Sequence, residues 1–199
     1  RDVMLETSAI YKRPDLQLVA MIADAAMVLH ELDILIHPKI FMNGFSASAS
    51  FTNRFSFLHP GKIQALAIGG FNGKLMIPQK EMEGVALNYP IGINDFNTLF
   101  NLPFNLTSYQ TIPQFIYMGK TDDNDAVLFD DAYSEGERKI IQKYLGENVQ
   151  ERYLKCQERY AANNIFPIFK TYDQVGHWTT SSINLDVIQF FFKQIQKTK

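Results

Sequence analysis

Gly44-Phe45-Ser46-Ala47-Ser48 comes directly after the run Lys39-Ile40-Phe41-Met42-Asn43, and together they admit few backbone paths. The run reads as a strand, and Ser48 to Leu58, with Phe51, Phe55 and Leu58 on one face, reads as a helix. A strand that turns this sharply into a helix brings two backbones close together, which requires small residues; positions 44, 46, 47 and 48 all carry them. Such a turn lifts the Ser46 hydroxyl above the end of a sheet in a strained conformation, the setting of a nucleophile elbow. A serine before a helix is also commonly its cap. The pentapeptide alone leaves both readings standing.

Chain order adds to it. Gln114-Phe115-Ile116-Tyr117-Met118, introduced by Pro113 and free of charge, reads as a strand buried on both faces. Gly119 then begins the acidic turn Lys120-Thr121-Asp122-Asp123-Asn124-Asp125 at its carboxyl end. A carboxylate there could fix the tautomer of a histidine and stabilise its imidazolium, and one of Asp122, Asp123 and Asp125 is the expected group. The rest of the cluster suits turn geometry. The histidine is His177 in Val175-Gly176-His177-Trp178, after the short strand Phe166 to Tyr172, whose Pro167 suits a sheet edge. His30, His37 and His59 fall in a helical pattern, a connector and a helix end, where surface or packing roles are expected.

Serine on an elbow, then an acid loop, then a histidine loop: in these motifs, across essentially the whole chain, the sequence resembles the α/β-hydrolase superfamily, and within it the serine esterases and lipase-like members. The resemblance implies an α/β-hydrolase-like fold with a largely parallel sheet of about four strands flanked by helices. It makes Ser46 the nucleophile, His177 the general base and Asp122 the orienting acid, because Asp122 lies three residues after Gly119 as in the family's acid loop. Asp125 is the alternative acid, since this acidic loop runs longer than the usual spacing. Ala47, following the nucleophile at a helix start, is expected to supply one oxyanion-hole N–H. The implied activity is cleavage of a small-molecule carboxylic ester through an acyl-enzyme, without metal or organic cofactor. An acyltransferase using the same residues, or a non-catalytic binding or structural protein that keeps the fold, are the alternatives. Ser48 departs from the pattern, standing where the family's elbow usually has a second glycine.

With 199 residues and 46% hydrophobic content, the chain suits one sizeable core, and a single domain over 1–199 is expected. A formal net charge of -2 with scattered basic residues gives no reason to expect nucleic acid or an anionic membrane. The single cysteine, Cys156, sits in a charged helical stretch and reads as a bystander thiol. No run is long enough to span a bilayer and no signal peptide is visible in a chain starting at Arg1, so a cytoplasmic location is the expectation.

The remaining elements follow from periodicity and caps. Pro14 opens a helix to about Leu32 with Leu18, Ile22, Ala25, Leu29 and Leu32 on one face, and Ile63 to Ile68 reads as the next strand. Residues 70–112 mix glycines and prolines with Tyr89, Phe96, Phe100 and Phe104, which fits either a lid over the serine or an irregular excursion tucked onto the core. In the first case these aromatics, with Phe45 and Trp178, wall the substrate pocket. Ser134 with Glu137 and Asn148 with Glu151 have the spacing of helix caps, and Gly146 ends the first of those helices. The last helix should pack on the sheet through Leu185, Ile188, Phe192 and Ile195. In α/β-hydrolases several strands precede the elbow strand, and a loop after an early one supplies a second oxyanion N–H; here mostly helix precedes it. The resemblance therefore implies a C-terminal portion of the fold, with an apolar sheet edge that invites a homo-oligomer or a covering segment. It also implies slow turnover for the chain alone, since one oxyanion donor is worth roughly a hundred- to a thousand-fold.

Overall fold

The computed structural model describes Leu5, residues 11–129 and residues 132–197. Pro14 pre-sets the first turn of α1 (Pro14–Glu31), which leads to the elbow strand β1 (Ile40–Phe45) and the helix α2 (Ala47–Leu58). Next come β2 (Ile63–Gly69), a small antiparallel pair β3 (Glu81–Met82) and β4 (Val85–Ala86), and the short helices α3 (Phe96–Phe100) and α4 (Leu106–Gln110). Then follow β5 (Gln114–Gly119), α5 (Glu135–Leu145), α6 (Val149–Ala162), β6 (Ile168–Tyr172) and α7 (Ser181–Gln196).

The main sheet has the order β1-β2-β5-β6, every pair parallel. Parallel strands need covered crossovers, and the central two are correspondingly free of charge and almost wholly buried. Their period-two alternation divides the core. Leu66, Ile68, Ile116 and Met118 face α2, α5, α6 and the segment from Phe71 to Tyr109, while Ala65, Ala67, Phe115 and Tyr117 face α7. The caps behave as their spacing predicts. Ser134 and Glu137 form a reciprocal capping box on α5, the Asn148 side chain accepts from the Glu151 N–H on α6, and Gly146 closes α5 at φ 124°.

Two readings of helix faces change. On α7 the buried residues are Ile183, Val187, Phe190 and Gln194, whereas Leu185, Ile188, Phe192 and Ile195 are 41–63% exposed. Both stripes are apolar at helical spacing, so periodicity could not choose between them. On α1 the expected face packs only lightly: Leu18 touches the core, and Leu32 is exposed.

Much of the 70–112 segment packs into the core, and its first part is fastened there. Phe71, Leu75, Met76 and Ile77 are buried, and polar side chains from two helices fasten their backbone. Met76 N–H donates to Asn53 Oδ1 at 2.8 Å, Tyr160 Oη–H donates to Met76 O at 3.0 Å, and Arg152 Nε–H donates to Gly73 O at 2.8 Å. A segment whose backbone groups are satisfied by buried side chains cannot swing without leaving them unpaired.

Candidate active site

Ser46 occupies the tip between β1 and α2 with φ 60° and ψ -126°. A non-glycine residue there is strained, and the surroundings hold it. Its N–H donates to Gly69 O at 3.1 Å, extending the β1–β2 pairing by one residue, while its carbonyl accepts from Ala49 and Ser50 to start the helix. Gly44 makes the close approach possible. A Cβ built on it would lie 2.3 Å from Ser48 O and 2.6 Å from Thr52 Oγ1, inside contact distance. Ser48 explains its own departure from the family pattern: its hydroxyl donates to Phe45 O at 2.7 Å and accepts from Phe45 N–H at 2.9 Å, satisfying both backbone groups of the residue before the tip. Although Ser46 stands at the N-cap position, its side chain makes no cap hydrogen bond. The capping alternative therefore gives way.

The other two groups are brought together by loops that prolong the pairing of β5 with β6. Lys120 N–H donates to Tyr172 O at 2.9 Å, and Thr121 donates to Val175 O through both its N–H and its hydroxyl. Gly119 permits this, because a Cβ there would sit 2.3 Å from Val175 O. From α6, Gln150 Nε2 donates to Gly119 O at 2.9 Å and Asp122 O at 2.7 Å, clamping the acid loop. The result is one continuous chain of contacts. Both carboxylate oxygens of Asp122 lie 3.0 Å from His177 Nδ1, and His177 Nε2 lies 2.9 Å from Ser46 Oγ. The Asp122 side chain is buried while the ring is one quarter exposed, so the carboxylate sits behind the imidazole and the hydroxyl in front. With Nδ1 facing a carboxylate, the neutral ring carries its proton there and Nε2 is free to accept.

The remaining candidates separate by contact. Asp123 is exposed. Asp125 is turned away from the imidazole: its carboxylate pairs with buried Arg152 on α6 and caps Val127 N–H at 3.0 Å. Sequence reasoning missed Arg152, whose guanidinium also donates to Gly73 and Gly146 carbonyls and so joins the acid loop to the scaffold. It also missed Gln150 and Asn124, whose Nδ2 lies 3.1 Å from His177 Nε2. Cys156 is buried, burial pushes its thiol up to about 11, and it lies on the α6 side of the core, against Leu75. His59 pairs with Asp15 at 2.8 Å, and His30 and His37 are exposed.

Ala47 is the first residue of α2, so its N–H has no intrahelical acceptor and is available at the helix start beside Ser46. Of the aromatics, Phe45 lies against the His177 ring with centroids 4.9 Å apart, and Trp178 is exposed next to it. Tyr89, Phe96, Phe100 and Phe104 do not form a wall over the serine. They stack among themselves and onto Phe57 and Tyr109, with Arg13 over Phe100. Phe57 is at the far end of α2, about 15 Å from the elbow by helical rise. A groove of about 550 Å³ lined by Phe115, Ile168, Lys170, Asp186, Phe190 and Lys193 lies where β5 and β6 begin. That is the opposite end of the sheet from Ser46, and chemistry in such sheets belongs at the carboxyl ends of the strands.

A parallel sheet with helices on both faces, a strand-to-helix elbow and the strand order found here define an α/β-hydrolase-like fold. Among solved structures, poly(aspartic acid) hydrolase-1 from Sphingomonas sp. KT-1 is similar with a TM-score of 0.54 at 17% identity, over 82% of this chain and 58% of that one. Arabidopsis thaliana SOBER1 (TM-score 0.47, 12% identity, 89% of this chain and 64% of that one) and Zea mays acyl-protein thioesterase 2 (TM-score 0.45, 15% identity, 86% and 63%) are more distant. The chain thus spans less than two thirds of the length of these structures. No protein-family model and no curated protein matches the sequence. Among the described residues, no helix is long and apolar enough to cross a membrane.

Proposed function

We propose that this chain is a serine hydrolase that cleaves a carboxylic ester through an acyl-enzyme on Ser46. The observation that carries the reading is the hydrogen-bonded series Ser46 Oγ, His177 Nε2, His177 Nδ1, Asp122 carboxylate on a strained elbow. Ser46 Oγ attacks the ester carbonyl as its proton passes to His177 Nε2. The carbonyl π electrons move onto oxygen, where the Ala47 N–H donates to the new oxyanion. Collapse breaks the bond to the alcohol oxygen, which takes the proton from Nε2 and leaves as the alcohol. Water repeats the sequence on the acyl-serine, giving the acid and free Ser46. Asp122 stays ionised throughout, holding the ring and facing the transient imidazolium.

A fluorophosphonate probe tests this without knowledge of the substrate, because it reports an activated hydroxyl. The native chain is expected to be labelled on Ser46 and to hydrolyse activated esters. Ser46→Ala should lose labelling and lower ester turnover by about 10⁴-fold or more while remaining folded. Equal labelling or turnover in that variant overturns the assignment. A folded, unlabelled native chain would point instead to the non-catalytic alternative.

A further inference from the structure

Among the described residues, His177 Nε2 has two hydrogen-bonding neighbours. Ser46 Oγ lies at 2.9 Å and Asn124 Nδ2 at 3.1 Å. Because Nδ1 holds its proton toward Asp122, Nε2 of the neutral ring carries a single in-plane lone pair. Two donors therefore share one acceptor. Asn124 is fixed where it does this, since its own N–H donates to Asp122 Oδ1 at 3.1 Å. It thus touches the acid with its backbone and the opposite ring nitrogen with its side chain.

We propose that Asn124 is a further catalytic residue that tunes the base: its amide donates to Nε2 in the resting state and so favours the neutral imidazole. A hydrogen bond to the neutral form disfavours protonation, because the protonated Nε2–H would face an N–H donor instead of an acceptor. To tolerate the imidazolium, the amide must turn about χ2 and present Oδ1, which then accepts from Nε2–H. In the resting orientation the amide points its N–H at Nε2. It also competes with the Ser46 hydroxyl for the lone pair, so a substrate that displaces the amide strengthens the serine–histidine hydrogen bond.

The charged surroundings of the ring are simple among the described residues. Asp122 is the ionisable side chain in hydrogen-bond contact with it; Asp125 is committed to Arg152, Lys120 to Asp173, and the face of the ring is covered by Phe45. A change at Asn124 is therefore read in the ring with little interference from other charges.

The experiment is a titration of His177 by heteronuclear NMR in the native chain, Asn124→Leu and Asn124→Asp, with His177→Gln used to assign the signal. Asn124→Leu removes the donor at similar volume and should raise the His177 pKa by about 0.5 to 1 unit. Asn124→Asp places an opposite charge at Nε2 and should raise it by about one unit or more beyond that. In the native chain the Asn124 side-chain amide protons should titrate with the midpoint of His177, a measurement that needs no variant. An unchanged or lowered pKa in Asn124→Leu, or amide signals indifferent to the His177 midpoint, overturns the proposal.

The kinetic arm rests on the reading of His177 as general base. There the acidic limb of kcat/KM for an activated ester should move to higher pH in the same order as the titrations. Shifted titrations with no ester turnover in any form would remove the hydrolase reading and leave the Asn124 hydrogen bond standing. Turnover with unshifted titrations would do the reverse.

Discussion

Asp122 and Asp125 stand three residues apart with the same functional group and opposite surroundings. The carboxylate of Asp122 faces an imidazole, and that of Asp125 faces a buried guanidinium. Their substitutions should therefore separate in kind. Asp122→Asn is expected to lower ester turnover by about 10⁴-fold at little cost in stability, since the ring loses its tautomer and orientation. Asp125→Asn leaves Arg152 charged and unpaired in the core, which costs about 3–5 kcal/mol, with turnover per folded molecule changed far less. Urea unfolding beside ester kinetics checks both, and a larger turnover loss per folded molecule in Asp125→Asn would reverse the roles. The meeting of Ser46, Asp122 and His177 could be anticipated from the sequence because each sits in a turn with readable local chemistry. Arg152 could not, because a charged residue in the charged stretch Gln150 to Arg159 reads as solvated. Its position did carry a signal: Val149, Tyr153, Cys156 and Tyr160 are buried, and Arg152 falls on their stripe. Asn124 left none, since its contact is with a loop over fifty residues away in sequence.

Elements were legible where one signal dominated and illegible where two were equal. The strands and caps followed period and spacing, whereas α7 offers two apolar stripes, and the aromatics of 70–112 fit lid and scaffold equally until their partners on α2 and α4 are known. The joint between α1 and α2 was also hidden, because it is polar. Asp15, in the first turn of α1, is fully buried and meets Arg13 at 2.7 Å and His59, just past α2, at 2.8 Å. Burial works to raise its carboxyl, but the hydrogen bonds from Arg13 and His59 outweigh it and hold the group well below the usual carboxylate range. The sign follows. An unfolded aspartate takes up its proton near pH 4 while the folded one stays ionised to lower pH, so this stabilisation is fully present above about pH 4 and is lost as pH falls below it. Asp15→Asn should cost about 2 kcal/mol at neutral pH, with the gap to the native chain narrowing on acidification below about pH 4. Urea unfolding across pH measures this. A gap that is absent at neutral pH, or that widens on acidification, would show that the joint contributes nothing through its charge.

For the whole molecule, the apolar surface is distributed unevenly. Among the described residues β1 pairs with β2 alone, so the elbow strand is a sheet edge, as the resemblance implied. Phe41 on that strand is exposed and stacks edge-on with Phe191 of α7 at 5.2 Å, and the outward stripe of α7 adds Leu185, Ile188 and Phe192. α1 and the connector that leads into β1 also expose Met21, Met27, Val28, Leu32, Ile34, Leu35 and Ile36. Scattered exposed leucines are ordinary, but exposed apolar side chains beside a strand left open on one side favour docking or aggregation. The chain also spans only 58% of the length of the poly(aspartic acid) hydrolase-1 structure it resembles. We expect the chain on its own to bury this face against a second copy. Sedimentation velocity should then show a mass that rises with concentration, and Phe41→Lys combined with Phe192→Glu should shift it toward monomer without loss of helical signal. The substitutions lie outside the series from Ser46 to Asp122, so fluorophosphonate labelling should persist in the dispersed form. If the native chain stays monomeric at every concentration and binds no apolar dye, the face is not sticky enough to need a cover. If instead dispersal abolishes labelling, the edge strand needs its cover to hold Ser46 at the tip, and association becomes part of how the site is built.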